Sequence, residues 1–336
     1  MAGMQCCLRV IAVHCTCSGG RCQATAGTIV GKGRHPWQPA RDFPRGDRRA
    51  PARPGQRGNT MTRPTLLVTG AAGGMGRACA RLMGATHDLV LTDVSSATLD
   101  GFAAELEGEG YVVRQARAGD LGDAALLAAL VGDVGEDGPV TLVHTAGLSP
   151  AMSDWRTIVR VNLIATVRLL DAVEPVLRPG SVAVLIASTA GHMMPPIPAV
   201  QALLDRPLDP GMIEALAPIV EDMAGGSAAH MPGIGYSLGK QAVLRLVEQR
   251  AIAWGRLGAR IASISPGLIL TPMGRREMAE TEGATAMLEA APVGRGGRAI
   301  DIALAAQFLA SAQAGFISGT DLRVDGGSVA AFRFPG

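Results

Sequence analysis

Two side chains that could share a proton, Tyr236 and Lys240, stand four residues apart. On a helix this spacing places both on one face. The pKa of an isolated tyrosine is near 10, but one positive charge about 4 Å away lowers it by roughly three units at an effective dielectric near 20. The pair therefore predicts a phenol that acts as a general acid or base near pH 7. Lys240 is also the only lysine after residue 60, and its compact ammonium suits a ribose hydroxyl better than a planar guanidinium does.

Two further polar residues could complete this site. Ser188 directly follows a β-rich run at residues 181–187, and the carboxyl ends of parallel strands line the ligand crevice of α/β folds. A turn-forming serine is the alternative interpretation. Asn162 lies inside an otherwise apolar helical pattern, where an asparagine usually needs a partner. A buried structural amide is its alternative.

A glycine-rich segment, residues 69–76, follows the first β-rich run. Its glycines allow positive φ and close approach of the backbone to a pyrophosphate, and the helix that follows offers free N–H groups. Asp93, at the end of the second run, would accept hydrogen bonds from an adenosine ribose and repel a 2′-phosphate, which favours NAD over NADP. A tight structural turn and a helix cap are the alternatives, and Arg77 beside the loop could instead pair with a phosphate.

The elements that must position these residues alternate between residues 61 and 336. The predicted strands are 65–68, 89–92, 111–114, 140–144, 181–187, 260–264 and 321–324. Predicted helices between them include 75–83, 124–131, 155–173, 241–254 and 299–310. This alternation, with buried apolar strands, predicts a doubly wound α/β fold with a seven-stranded parallel sheet in a single domain, a Rossmann fold. Asp120 is expected either to cap a helix that begins near Leu121 or to contact an adenine.

Composition excludes several classes of protein. The chain is 48% hydrophobic and 18% charged, so it can bury a large core. Aromatic residues make up only 3%, and no apolar run approaches the 18 residues of a membrane helix. Residues 1–60 contain ten Lys and Arg and two Asp, which gives this segment a charge of +8. Since the net charge of the whole chain is +2, residues 61–336 have a net charge of −6. We therefore expect neither a nucleic acid nor a membrane as partner.

The first 60 residues form a basic tail rich in Cys, Arg, Pro and Gly. Five cysteines lie there, at positions 6, 7, 15, 17 and 22, and only Cys79 follows, which excludes a disulfide framework for the rest and fits the cytoplasm. The tail cysteines and His14 could in principle bind zinc, but the tail lacks the paired CxxC motifs of a zinc site, so no metal site is predicted. Residues 31–60 are expected to be disordered. Because Met61 directly precedes the first strand, the tail is expected to lie outside the natural translated product.

Residues 61–330 resemble the short-chain dehydrogenase/reductase superfamily. The resemblance rests on the 69–76 loop, Asn162, Ser188, Tyr236, Lys240, Pro266-Gly267, Thr271-Pro272 and the VDGG sequence at 324–327. It implies that Tyr236 is the proton donor or acceptor and Ser188 the orienting hydroxyl. It likewise implies that Lys240 binds ribose and tunes the tyrosine pKa, and that Asn162 holds a relay water. The cofactor-binding residues expected are Gly70, Gly73, Gly74, Met75, Gly76, Asp93, Asp120, Leu121, Ala146, Gly147, Tyr236, Lys240, Pro266, Gly267, Ile269 and Thr271.

The chain departs from the usual family pattern at two places. Residues 144–147 read His-Thr-Ala-Gly where the family usually has Asn-Asn-Ala-Gly, so the support of the fourth strand is expected to differ. Residues 192–234 are predicted to be an insertion before the catalytic helix, with a helix at 211–224. This insertion resembles the 3α-hydroxysteroid dehydrogenase/carbonyl reductase branch. Its apolar residues could form a lid or a packing helix; they are Met193, Met194, Met212, Ile213, Leu216, Ile219 and Met223.

These features predict an NAD-dependent oxidoreductase that moves a hydride between nicotinamide and a secondary alcohol or ketone. The resemblance implies a bulky, hydrophobic substrate, steroid-like or another carbonyl compound. A non-catalytic dinucleotide-binding sensor on the same fold is the alternative, and an interaction protein acting through its tail is a third hypothesis. The family pairs subunits through two surfaces, and the insertion lies beside one of them. We therefore expect a homodimer through 299–310 and 321–324 rather than a tetramer.

Overall fold

The computed structural model describes residues 11–18, 21–28, 63–135, 138–280, 288–289 and 291–334. The chain divides into two units, Met1–Thr60 and Met61–Gly336. In the first unit, strands β1 (Ile11–Ser18) and β2 (Arg21–Thr28) pair antiparallel, and no sequence pattern predicted them. Residues 31–60, which are predicted to be disordered, lie outside the described residues, as do Cys6 and Cys7.

The second unit alternates strands and helices. Its strands are β3 (Thr65–Thr69), β4 (Asp88–Asp93), β5 (Val113–Ala118), β6 (Val140–His144), β7 (Val182–Ile186), β8 (Arg260–Pro266) and β9 (Thr320–Val324). Its helices include α1 (Gly74–Gly84), α2 (Ser96–Gly108), α3 (Ala124–Val134), α4 (Trp155–Val159), α5 (Ala165–Val173), α6 (Thr189–Met193), α7 (Pro198–Leu204), α8 (Met212–Met223), α9 (Met231–Arg256), α10 (Pro272–Glu280), α11 (Ala299–Ala310) and α12 (Ser328–Arg333). Within the described part of the chain, no helix is both long enough and apolar enough to cross a membrane.

All seven strands of this unit run parallel, in the order β5-β4-β3-β6-β7-β8-β9. The chain starts in the middle at β3, moves outward to β5, and then returns to β6 on the other side of β3. Thr69 at the end of β3 is therefore opposite both Thr92 of β4 and His144 of β6. Ligands bind at such a switch point, outside the carboxyl ends of the strands. The predicted doubly wound seven-stranded sheet is confirmed.

Helices cover both faces of the sheet because its central strands are apolar on both sides. All five residues of β3, of β6 and of β7 are buried. Alternate side chains enter different layers. Leu67 packs in the layer that contains Trp254 of α9, whereas Leu66 and Val68 pack in the layer that contains Phe102 of α2. This two-residue period is what a strand covered on both faces requires.

One predicted strand is misplaced. The strand predicted at residues 111–114 is β5, Val113–Ala118. It lies at the edge of the sheet, and none of its six residues is fully buried. An edge strand with half-exposed, polar side chains has no apolar run that could mark its bounds.

The inserted segment packs against helix α9. The helix predicted at 211–224 is present as α8, Met212–Met223. Leu216 and Val220 of α8 are fully buried in the layer that also contains Val243 of α9. Helices α7 and α8 both contact α9, which places the insertion along its flank.

Candidate active site

Ser188, Tyr236 and Lys240 line one cleft of about 270 Å³. The cleft opens where β6, β7 and β8 pass into their loops. Predicted cofactor-binding residues that also line it are Met75, Gly147, Pro266, Gly267, Ile269 and Thr271. A second cavity of about 390 Å³, beside β8 and β9, contains none of the predicted catalytic residues. The smaller cleft is therefore the one with groups for acid–base chemistry.

Strand β7 and helix α9 position the candidate catalytic side chains. Ser188 follows the end of β7 and caps α6, accepting a hydrogen bond from the Ala190 N–H at 3.2 Å. Tyr236 and Lys240 lie one turn apart on α9, with Nζ 5.7 Å from the centre of the phenol ring. Nζ donates a hydrogen bond to the Ile186 carbonyl at 2.7 Å. The buried lysine is thus held between α9 and the strand that leads to Ser188.

Burial dominates the electrostatics of this pair. It raises the pKa of Tyr236 to about 12, although the hydroxyl of Ser188 acts in the opposite direction. Burial also lowers the pKa of Lys240 to about 8. The expectation that Lys240 brings the Tyr236 pKa close to 7 is therefore wrong, because desolvation of the phenolate, which raises this pKa, is the largest influence on it.

Asn162 lies behind the cleft rather than on its wall. It is buried in a π-helical turn, Arg160–Ile164, between α4 and α5. Its side-chain amide holds both backbone groups of Leu148, accepting from the N–H at 2.8 Å and donating to the carbonyl at 2.9 Å. Its backbone carbonyl accepts a hydrogen bond from the Thr166 hydroxyl at 2.9 Å. Asn162 therefore fixes the loop that leads from β6 into the cleft.

His144 joins three elements behind the site. The imidazole is buried, with Nδ1 2.7 Å from the Thr69 hydroxyl and Nε2 2.8 Å from the Thr166 hydroxyl. Since the Thr166 hydroxyl donates to the Asn162 carbonyl, Nε2–H donates to Thr166, and the Thr69 hydroxyl donates to Nδ1. Burial, assisted by the charge of Lys240, lowers the pKa of His144 to about 3. A neutral histidine thus supports the end of β6.

The glycine-rich loop has the shape of a phosphate cradle. Gly70 has a φ of +64°, and a Cβ there would lie 2.7 Å from the Ala146 nitrogen. Gly74 and Gly76 belong to the first turn of α1, where a Cβ on Gly76 would collide with the Gly70 carbonyl oxygen. Gly73 is the N-cap of α1 and offers no side chain to the N–H groups that follow. These N–H groups beside an open backbone fit the pyrophosphate of a dinucleotide.

Asp93 faces this loop. One carboxylate oxygen accepts from the Ala72 N–H at 2.9 Å, and the other accepts from the Ser95 N–H at 3.4 Å. Ser95, not Asp93, is the N-cap of α2, so the helix-cap alternative for Asp93 is wrong. Arg77 bridges the loop and α2: its Nε donates to the Ala72 carbonyl at 3.2 Å, and its Nη1 lies 3.1 Å from a carboxylate oxygen of Glu105.

Two predicted cofactor-binding residues lie between β5 and α3. Asp120 accepts from the Gly122 N–H at 2.8 Å, which forms a short turn. Asp123 is the N-cap of α3, so the helix-cap alternative for Asp120 is wrong. Leu121 is packed into the core. Neither Asp120 nor Leu121 lines the cleft.

The loops after β6 and β8 carry the remaining predicted residues. Ala146 lies against the glycine-rich loop, and its N–H is 3.5 Å from the Thr69 hydroxyl. Ile269 is buried and forms a parallel bridge with Gly297. The Thr271 hydroxyl accepts from the Gly274 N–H at 3.2 Å and so holds the start of α10.

Sequence reasoning missed five polar residues that line the cleft: Thr145, Ser149, Thr189, Ser237 and Glu277. Ser149 comes five residues after the end of β6, and the rule that ligands bind at the carboxyl ends of strands could have found it. Glu277 lies on the polar helix α10, where nothing in the sequence distinguishes it from its neighbours. None of the apolar residues named in the insertion lines the cleft, which favours the packing helix over the lid.

Comparisons with known proteins agree with this geometry. A family model described as short chain dehydrogenase matches residues 64–200, and one described as Enoyl-(Acyl carrier protein) reductase matches residues 219–329. The chain is 30% identical over 280 residues to the short-chain dehydrogenase/reductase bsc3 of Alternaria brassicicola, covering 80% of this chain and 97% of that protein.

Two further similarities extend over the same length. The 3-alpha-hydroxysteroid dehydrogenase/carbonyl reductase of Comamonas testosteroni is 29% identical over 275 residues, covering 80% of this chain and 97% of the relative. The crystal structure of levodione reductase superposes with a TM-score of 0.63 at 27% identity, covering 80% of this chain and 98% of that chain. The protein belongs to the short-chain dehydrogenase/reductase family and is an oxidoreductase.

Proposed function

We propose that the protein oxidises a secondary alcohol to a ketone with NAD, or runs the reverse reduction. The observation that carries the proposal is the cleft that joins Ser188, Tyr236 and Lys240 beside the glycine-rich loop. In the forward direction the alcohol loses a hydride from carbon and a proton from oxygen. Bound NAD supplies the hydride acceptor, and the protein must manage the proton.

The side chains of the cleft divide this task. The hydroxyls of Ser188 and Tyr236 hold the oxygen of the substrate, and Tyr236 takes its proton. With a pKa of about 8, Lys240 is mostly charged at pH 7, so it stabilises the phenolate that must form before Tyr236 can accept that proton. In the reverse direction the high pKa of Tyr236 keeps the phenol protonated and ready to donate. We further propose that Asn162 supports a proton relay from behind the cleft.

Asp93 is the basis for proposing NAD rather than NADP. Its carboxylate is held at the end of β4 by the Ala72 N–H, beside the loop that would hold the pyrophosphate. A 2′-phosphate placed there would meet a negative charge. A candidate cation beside the loop, Arg77, is engaged by Glu105 and stacks 4.5 Å from the centre of the Phe102 ring.

The lining of the cleft supports a hydrophobic substrate. Apolar side chains there include Leu148, Pro150, Leu268 and Met273. They share the cleft with the hydroxyls that would hold the reacting oxygen. A bulky carbonyl compound, steroid-like or otherwise, is the substrate class we propose.

We also propose a cytoplasmic homodimer. Cys79, the one cysteine between residues 61 and 336, is a buried thiol that forms no disulfide, as suits a reducing compartment. Burial raises the pKa of this thiol to about 12. Ile300, Leu304 and Phe308 recur every four residues on α11 and are all exposed. Such a stripe is typical of a subunit interface.

Replacing Tyr236 with phenylalanine tests the proposed function. We expect Y236F to lose turnover at least about 10²-fold, because the proton is left without an acceptor, while NADH still binds. Tyr111, the other tyrosine of the chain, lies outside the cleft, so Y111F is the matched control and should keep its activity. A wild-type protein that binds NADH but turns over no member of a broad alcohol and ketone panel would instead favour the dinucleotide sensor.

A further inference from the structure

Ser149 is a buried hydroxyl on the wall of the active-site cleft. The residue is 3% exposed, and its Oγ has no hydrogen-bond partner among the residues that the structure describes. Buried hydroxyls are normally satisfied, so an unpaired one on the wall of a ligand cleft is free to pair with a polar atom of a bound ligand. The hydroxyl of Ser188, by contrast, already has a role at the reacting oxygen.

Glu277 contributes a carboxylate to the same cleft. It is half-buried, and it forms no hydrogen bond or ion pair with the described part of the chain. Its neighbour one turn later on α10, Glu280, is exposed and lies 2.9 Å from the Arg276 guanidinium. Burial raises the pKa of Glu277, and its charge raises the pKa of Tyr236, which places the carboxylate within electrostatic reach of the reaction site.

Helix α10, which carries Glu277, contacts the segment that follows Ser149. It packs against the 3-10 turn Pro150–Met152, which directly follows Ser149. The cleft also has an apolar wall, to which Leu268 and Met273 contribute. The cleft therefore contains the hydroxyls that hold the reacting oxygen, an apolar surface, and a second pair of polar residues, Ser149 and Glu277, that have no role in the proposed reaction.

We propose that Ser149 and Glu277 form a second recognition site, which binds a hydrogen-bond donor carried by the substrate away from the carbon that reacts. The inference rests on the proposed function and narrows its substrate class. An ionised carboxylate only accepts hydrogen bonds, so the matching group is a hydroxyl or an ammonium. A carboxylate or phosphate on the substrate would be repelled by the negative charge of Glu277. The substrates are then hydrophobic secondary alcohols, or the corresponding ketones, that carry a second hydroxyl or an amino group.

Four cyclic alcohols separate the possibilities. Cyclohexanol has no second group, trans-1,4-cyclohexanediol adds a hydroxyl, trans-4-aminocyclohexanol adds an ammonium, and trans-4-hydroxycyclohexanecarboxylate adds an anion. We expect kcat/KM for the diol or the amino alcohol to exceed that for cyclohexanol about tenfold, and the carboxylate to be the poorest substrate. If none of the alcohols is oxidised, binding of each one in the presence of NAD is measured by calorimetry instead.

Variants then assign the preference to the two residues. In Glu277→Met, and to a smaller extent in Ser149→Ala, the ratio of diol or amino alcohol to cyclohexanol should fall towards one. Using a ratio within each variant cancels any general loss of activity. Glu277→Gln separates the two donors, since it keeps an acceptor for the hydroxyl but removes the charge that attracts the ammonium. Glu280→Met, one turn away on α10, is the matched control and should leave the ratio as in the wild type.

The outcomes distinguish this inference from the proposed function. Ratios that are unchanged in Glu277→Met and Ser149→Ala, or near one in the wild type, overturn the recognition site even if every alcohol is oxidised. If the wild type oxidises none of the four, the proposed function loses its support, and the binding ratios still decide whether Ser149 and Glu277 recognise a donor.

Discussion

At the scale of single residues, the neutral His144 is the most unusual part of the site. Asparagine, which the family usually places there, is uncharged at every pH, whereas a histidine stays neutral only because it is buried. Its two ring nitrogens connect Thr69 of β3 with Thr166 of α5, and Thr166 in turn binds the Asn162 carbonyl. One imidazole thus fixes the strand end and the π-helical turn together.

This burial predicts an acid-sensitive fold. In the unfolded chain His144 takes up a proton near pH 6.5, but in the folded protein its pKa is about 3. As the pH falls from about 6 to 3, the unfolded state is therefore favoured by about 1.4 kcal/mol per pH unit from this residue alone. In His144→Asn, urea unfolding between pH 7 and 4.5 should show a free energy that falls less steeply. His230→Asn, at an exposed position, should keep the wild-type slope, and equal slopes in all three proteins would contradict this expectation.

Asp93 predicts the choice of cofactor. Calorimetry should show NAD binding at least about tenfold tighter than NADP, a difference of about 1.4 kcal/mol. Asp93→Ser should reduce that preference, because the charge that repels the 2′-phosphate is gone. Asp100→Ser, at an exposed position on α2, serves as control. Equal or reversed affinities in the wild type would mean that a cation such as Arg77 outweighs the carboxylate.

Single residues also show how far the sequence could lead. Tyr236 and Lys240 could be found because their chemistry and spacing are rare in this composition. Ser149 and Glu277 could not be distinguished in this way. Their proposed role depends on having no hydrogen-bond partner among the described residues and on lining the same cleft, and neither property can be read from the sequence. The error in the Tyr236 pKa has a related cause. A charge can be read from the sequence, but the cost of desolvation depends on packing.

At the scale of elements, α8 behaves as a packing helix. Its Leu216 is fully buried against the α9 layer. Leu216→Ala should lower the free energy of unfolding by about 2–5 kcal/mol, measured by urea denaturation, with KM nearly unchanged. Glu214→Ala, at an exposed position on α8, should change neither quantity. A large change in KM with unchanged stability would instead support the lid.

The ends of a helix or strand could be predicted from the sequence only where its tertiary packing follows its hydrophobic sequence pattern. The limits of β6 and α11 coincide with the predicted ones, and both segments are predominantly apolar. Helix α9 begins ten residues before the predicted start at 241. Proline is favoured in a first helical turn, where Pro232 lies, but Gly233 normally signals a loop, and contacts with α4 and α6 override that preference.

At the scale of the whole molecule, exposed apolar surface points to self-association. The stripe of Ile300, Leu304 and Phe308 on α11 lies close to the edge strand β9. The insertion covers one flank of α9, where Arg245 binds Asp205, the residue after α7, at 2.8 Å. That flank is therefore less available for a second pairing. We continue to propose residues 61–336 as the catalytic unit and a dimer through the α11 surface.

Light scattering tests this assembly. We expect a mass near two chains at micromolar concentration, because closed two-fold pairing through α11 covers the stripe. Phe308→Glu should give a single chain, since it places a charge in that apolar interface. Glu248→Gln, at an exposed position on α9, should leave the mass unchanged. A mass near four chains for the wild type would contradict the proposed dimer.

Lys240 has a consequence for chemical inhibition. It is the one side-chain amine between residues 61 and 336, and its lowered pKa leaves a substantial share of it unprotonated and nucleophilic in mildly alkaline solution. The cleft is the route to that amine. An aldehyde that resembles the substrate would therefore meet a single imine-forming side chain in this unit, and borohydride would fix the adduct there. Because residues 61–336 contain no other lysine, covalent chemistry can address this amine without competition from a second lysine of that unit.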